Sequence, residues 1–114
     1  MRPRERNVEF AFEHGFLERR VSFPDGRSYV HRCERAVFEA VARHLDAGGD
    51  VGETMTSIAE ALDLPFTQVN VALEFLKERG CVVTRGRHSF PAGTFVYEDA
   101  MVELTALEED VAAT

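Results

Sequence analysis

"IAEALDLPFTQVNVALEFLKERGCVVTRGRH", residues 58–88, decides how the 114-residue chain is read. Ile58, Ala59 and Leu62 share one helical face. Thr56 stands just upstream as the expected N-cap, its hydroxyl placed to accept from a free N–H of the first turn. Asp63-Leu64-Pro65 interrupts this helix, because proline disfavours helical geometry at the residue before it. A second helix is expected from about Phe66 to Arg79, with Val69, Ala72, Leu73 and Leu76 as its buried stripe and Gly80 as its stop. "CVVT" reads as a strand, "RGR" as a tight turn and "HSF" as the returning strand, so a small β-hairpin occupies 81–90.

Upstream, "CERAVFEAVARHLDAGG" (33–49) sets Val37, Phe38, Val41 and Leu45 on one face of a helix that ends at Gly48-Gly49, and "DVGET" is a short loop. In "FLERRVSFPDGRSYVHR" (16–32), Leu17, Val21 and Phe23 alternate with polar residues before a Pro-Asp-Gly turn, and Tyr29 and Val30 follow it. A β-hairpin of 16–23 with 27–31 is expected. "NVEFAFEH" (7–14) has the period of two of a strand, with a short helix capped by Asn7 and stopped at Gly15 as the alternative. Downstream, "PAG" breaks the chain before a last helix over about 94–110. The expected class is therefore α+β and the chain one domain: an N-terminal hairpin extension (1–32), a helical core with a small hairpin (33–93) and a C-terminal helix with an acidic tail (94–114).

Composition narrows the function classes. Hydrophobic residues make up 45% of the chain, nine of them Phe, enough for a packed interior. No apolar run approaches the ~18 residues of a membrane span, and the basic N-terminus lacks the apolar stretch of a secretory signal. A soluble, cytoplasmic protein with no membrane partner is expected. Cys33 and Cys81 lack metal-ligand spacing and read as small buried hydrophobes, a redox pair only if the fold brings them together. His14, His31, His44 and His88 are scattered, so no metal site is expected. A glycine-rich phosphate loop, a nucleophile elbow and a His–carboxylate pair at metal-binding spacing are all missing. Neither catalysis nor a cofactor is expected.

The formal net charge of −7 is unevenly spread. Residues 36–63 hold one basic against six acidic side chains, and 98–114 hold six acids and no base. Residues 1–35 and 64–97 each carry a balance of +2. The acidity thus lies outside the stretch quoted first, which leaves room for a local basic face, although the long-range field of an acidic chain works against association with DNA. Arg2, Arg4 and Arg6 read either as a phosphate-seeking arm, diluted by Glu5 and Glu9, or as a frayed terminus.

Over about 34–110 the chain resembles the winged helix-turn-helix superfamily, in particular MarR-like and PadR-like bacterial transcriptional regulators. The resemblance rests on "TSIAEALDLPFTQVNVALEFLKERGCVV": a polar cap, an Ala-rich first helix, a Leu in the turn, a buried Val in the second helix, Leu-x-x-Leu, and a Gly before an apolar strand. "RHSFPAG" is similar to the returning wing strand and the step into the last helix. The hairpin at 16–31 is outside the common pattern. Double-stranded DNA is the partner the resemblance implies, with the second helix in the major groove. With Val69 inward, a 100° step turns Thr67, Val71, Glu74 and Glu78 outward, flanked by Asn70 and Lys77 on one side and Gln68 on the other. Gln68 and Asn70 suit adenine edges, Val71 a thymine methyl group and Thr67 a phosphate. The family pattern often has Arg or Lys where this chain has Val71 or Glu74. Arg85, Arg87 and His88 at the wing suit the phosphate backbone or a narrow minor groove.

In the last helix Tyr97, Met101, Leu104, Leu107 and Val111 form one apolar stripe, either a homodimer seam or a face packed back onto the first helix. Winged helices also serve as protein-interaction modules without DNA binding, the alternative function, in which Glu74 and Glu78 would face a basic partner.

Overall fold

A computed structural model describes residues 6–113, with side chains to Asp110. Arg2 and Arg4 of the basic N-terminus lie outside the described residues, as does the side chain of Val111. The chain is α+β, with strands β1 (Asn7–Glu13), β2 (Phe16–Ser22) and β3 (Ser28–Glu34) followed by helices α1 (Arg35–Ala47), α2 (Met55–Leu62) and α3 (Phe66–Glu78). A hairpin of β4 (Val82–Arg85) and β5 (His88–Pro91) leads to α4 (Val96–Ala113).

The N-terminal region is larger than the expected hairpin. Within residues 7–14, for which a capped helix is the alternative, Asn7–Glu13 form a strand, and β1-β2-β3 make a three-stranded antiparallel sheet. The β1–β2 loop is His14-Gly15, both with positive φ (56° and 84°). That is the backbone a two-residue turn needs to match strand twist. Pro24 and Asp25 turn the chain from β2 to β3: the Gly26 N–H donates to the Phe23 carbonyl (3.0 Å), and the Asp25 carboxylate accepts from the Arg27 N–H (3.0 Å). The strand alternation sends Phe12, Leu17 and Cys33 to one face, where they join the core.

The cap of α2 is Thr54, not Thr56. The Ser57 N–H donates to Thr54 Oγ1 (3.0 Å) and the Thr54 N–H to Ser57 Oγ (3.0 Å), a reciprocal capping box. Thr56 lies inside the first turn, where its hydroxyl cannot satisfy those donors. At the end of α3 the Cys81 N–H donates to the Leu76 carbonyl (2.8 Å) and the Gly80 N–H to that of Lys77 (3.1 Å), with Gly80 at φ 78°. This pairing is a Schellman stop, which requires the left-handed residue that glycine supplies. Residue 53 also exchanges backbone hydrogen bonds with Ser89 (3.0 and 2.7 Å), tying the α1–α2 loop to β5. Gly52 beside it has no room for a side chain, since a Cβ would stand 2.4 Å from the Phe90 ring.

Helix α3 is the centre of the core. It packs on α1 and α2 on one side and on β2 and β3 on the other. Val69, Val71, Ala72, Leu73, Phe75 and Leu76 are all buried as a result. Helix α4 packs on α1 and β1 through Val96, Ala100, Leu104 and Leu107. This corrects the homodimer seam: Leu104 and Leu107 are used inside their own chain, and Met101 and Tyr97 pack against the same core. Of the two roles open to this stripe, packing within the chain is the one seen, against β1 as well as α1. The Arg43 guanidinium covers the Tyr97 ring at 4.0 Å and donates to its hydroxyl at 3.0 Å. No helix among the described residues is long and apolar enough to cross a membrane.

Candidate functional site

The open part of α3 is a narrow stripe. Phe66, Thr67, Lys77 and Glu78 are exposed, and Asn70 and Glu74 are half-exposed between them. Two residues expected on this face have left it. Val71 is fully buried, because the sheet covers the flank onto which two 100° steps from Val69 turn it. Gln68 lies on the same covered flank: its Oε1 accepts from the Glu34 N–H (2.9 Å) and its Nε2 donates to the Glu34 carboxylate (3.3 Å). This amide therefore anchors the start of α1 to α3. Thr67, Asn70 and Lys77 remain on the open stripe, Lys77 paired with Glu74 at 2.9 Å.

The two-residue loop of the β4–β5 hairpin begins at Gly86 (φ 61°), a position that admits glycine without strain. Strand alternation then separates the hairpin's cations. Arg85 pairs across the hairpin with His88, and its guanidinium lies 5.3 Å from the centroid of the Phe90 ring on the same face. Thr84 and Ser89 belong to the other face, and with Arg87 they border a groove between the hairpin, α3 and the start of α2. The volume of this groove is about 340 Å³. Asn70 and Lys77 enter it from α3, and Thr54, Met55 and Thr56 from the first turn of α2. The structure thus brings Asn70, Lys77 and Arg87 together with the first turn of a helix at one end; Glu74 lines the groove too, paired with Lys77, so Arg87 is the lining cation outside that pair. Such an arrangement favours an anionic ligand.

A second groove, of about 270 Å³, lies on the opposite flank of Lys77 and Glu74, between α3 and the N-terminal sheet. Arg6, Phe10 and Arg19 line its sheet side, and Glu78 joins Glu74 and Lys77 on the helix side. Arg19 was not expected to matter. It points inward in β2 in the same register as Leu17 and Val21, and only 6% of it is exposed. An arginine at an inward position of an alternating strand was the available signal. Among the described residues no group of three or more His, Cys, Asp or Glu side chains is placed to hold a metal ion. Cys33 and Cys81 are free thiols, both buried.

Comparison with known proteins adds no assignment: no family model, curated protein or solved structure matches the chain.

Proposed function

We propose that residues 33–93 form a winged helix-turn-helix, with β4–β5 as the wing, and that the chain is a cytoplasmic transcriptional regulator that binds double-stranded DNA without catalytic activity. The observation that carries this reading is the first groove. A helix N-terminus, the Asn70 amide, the Lys77–Glu74 pair and the Arg87 cation converge there from three successive elements of the helix-turn-helix order. Thr67 and Asn70 would meet the major-groove edge, with the Asn70 amide suited to an adenine. Arg87 and Lys77 would hold phosphates of the flanking backbone. Arg85 and His88, on the other face of the wing, would follow the groove on the outer side. The −7 charge is compatible with this role because α4, which carries six carboxylates and no cation, packs on α1 and β1. A homodimer would double the few phosphate contacts of one copy. The buried stripe of α4 is not available for it, so the seam would lie elsewhere.

The second reading is a winged-helix protein-interaction module. It is favoured by the loss of Gln68 and Val71 from the open stripe and by Phe66 at its head, which is 51% exposed.

Fluorescence anisotropy with labelled duplex of the chain's own upstream region and of random sequence, over a salt series, decides between them. If Lys77, Arg85 and Arg87 each hold one phosphate, log affinity should fall against log salt with a slope of about −2.7 per protomer. Lys77→Ala and Arg87→Ala should each flatten the slope by about 1. Absence of binding to either duplex at low salt would refute DNA binding and leave the protein-interaction reading. Sedimentation velocity of the free protein and of the complex gives the number of copies.

A further inference from the structure

We propose that the N-terminal sheet belongs to the same interface: Arg19, with Arg6, seats a backbone phosphate of the bound duplex in the groove between the sheet and α3. The inference rests on the DNA-binding reading.

Arg19 is the observation behind it. It sits in the middle of the central strand, between Phe10 of β1 and His31 of β3. Its Nε is buried without a hydrogen-bond partner, and no ion pair to Arg19 exists among the described residues. The next arginine along the strand shows what a neutralised one looks like here. Arg20 points to the opposite face and donates to Glu18 at 2.7 Å, and Arg32 on β3 reaches the same carboxylate at 2.8 Å. Burying a guanidinium that no carboxylate among the described residues pairs with is unfavourable, and an apolar side chain of similar length would suit the inward position between Leu17 and Val21 better for stability alone. The position makes sense when an anion completes it.

The groove offers such an anion a place. The carboxylates that line it are already held, Glu74 by Lys77 at 2.9 Å and Glu78 by Arg79 at 2.7 Å. Arg6 and Arg19 line it as well, and neither has an ion pair among the described residues. The location follows from duplex geometry. A helix about 10–12 Å across fills a major groove about 12 Å wide, so phosphates run along both of its flanks. On one flank of α3 stands the wing with Arg87, and on the other stands the sheet with Arg19 and Arg6. The N-terminal sheet would thus supply the second backbone clamp, on the side that the wing cannot reach.

The test compares wild type, Arg19→Met and Arg6→Gln for duplex affinity, salt slope and thermal midpoint, with inorganic phosphate as a separate ligand. Arg19→Met is expected to keep or raise the thermal midpoint of the free protein while weakening duplex binding about tenfold and flattening the salt slope by about 1. Arg6→Gln, a change at an exposed side chain, should flatten the slope similarly and leave the midpoint unchanged; it carries the test if Arg19→Met does not fold. Wild-type binding to duplex that both variants retain with unchanged slope overturns the sheet's role and leaves the DNA-binding reading standing. A wild type that binds no duplex overturns both. A thermal midpoint raised by inorganic phosphate in wild type but not in Arg19→Met, without any duplex binding, assigns the groove to a small anion and overturns the duplex assignment.

Discussion

The seating of the sheet on α3 can be measured through one aromatic ring. Phe75 is fully buried, with the Phe10 ring of β1 5.3 Å away at 70° and the Phe38 ring of α1 5.7 Å away at 68°. Both contacts are edge-to-face, and the Arg79 guanidinium lies 4.9 Å from the same ring. Phe75→Leu keeps an apolar side chain and removes these three contacts. Each aromatic pair contributes about 0.5–1.5 kcal/mol beyond area burial, and the cation–π contact about 0.5–1 kcal/mol. A total loss of about 1.5–4 kcal/mol is expected, which urea unfolding reads as a lower midpoint at unchanged m. The part that belongs to the sheet is isolated by a double-mutant cycle with Phe10→Leu, expected to give a coupling of about 0.5–1.5 kcal/mol. A coupling indistinguishable from zero would mean that β1 does not rest on α3 in solution. The groove containing Arg19, one wall of which is this sheet, would then go with it.

Other measurements address separate parts of the structure. Thr54→Ala should destabilise the protein by about 1 kcal/mol, and Thr56→Ala by no more than a few tenths, which chemical denaturation of the two variants compares directly. For Glu18, burial opposes ionisation and is the largest single influence, but hydrogen bonds and charge from Arg20 and Arg32 outweigh it and hold its carboxyl below the ordinary value. A lowered folded-state value means stability that is present at neutral pH and lost as pH falls through that value. The destabilisation by Glu18→Gln should therefore be full near neutrality and vanish in acid; a difference that persists in acid would refute the assignment. Burial, reinforced by the Glu34 charge, pushes the Cys33 thiol up to about 12, and burial with Glu103 and Asp99 pushes Cys81 to about 11. Near neutral pH neither should react with a thiol reagent until the chain is unfolded, and labelling of the native protein would contradict this.

Much of the secondary structure was readable because its signals are local. The Pro24–Gly26 turn, the Gly80 stop and the proline between α2 and α3 act on their own neighbours. What was misread depended on partners distant in the chain. Val71 was turned outward by a rotation that assumed one packing surface, whereas α3 has two, the second built from residues 7–34. The near-complete ring of apolar residues, Val69 through Leu76, was the sign that the helix is enclosed. Gln68 looked like a base-reading amide for the same reason, and its actual partner, Glu34, is brought beside it by tertiary structure alone. Leu104 and Leu107 carry a spacing that suits any apolar face, so spacing could not tell another copy from α1 and β1. Arg19 is not distinguished by the charge balance of its segment, because its register in β2 is what removes it from solvent.

Helix α4 rests on β1 as well as on α1, so the first and last elements described here touch each other. During synthesis the sheet, α1 and α3 emerge well before residues 96–107, and until these leave the ribosome the α4-facing surfaces of α1 and β1 are uncovered. Completion of the fold therefore requires residues 96–107 to have emerged. A ribosome stalled before α4 would display an apolar surface open to chaperones, and one stalled after it would not.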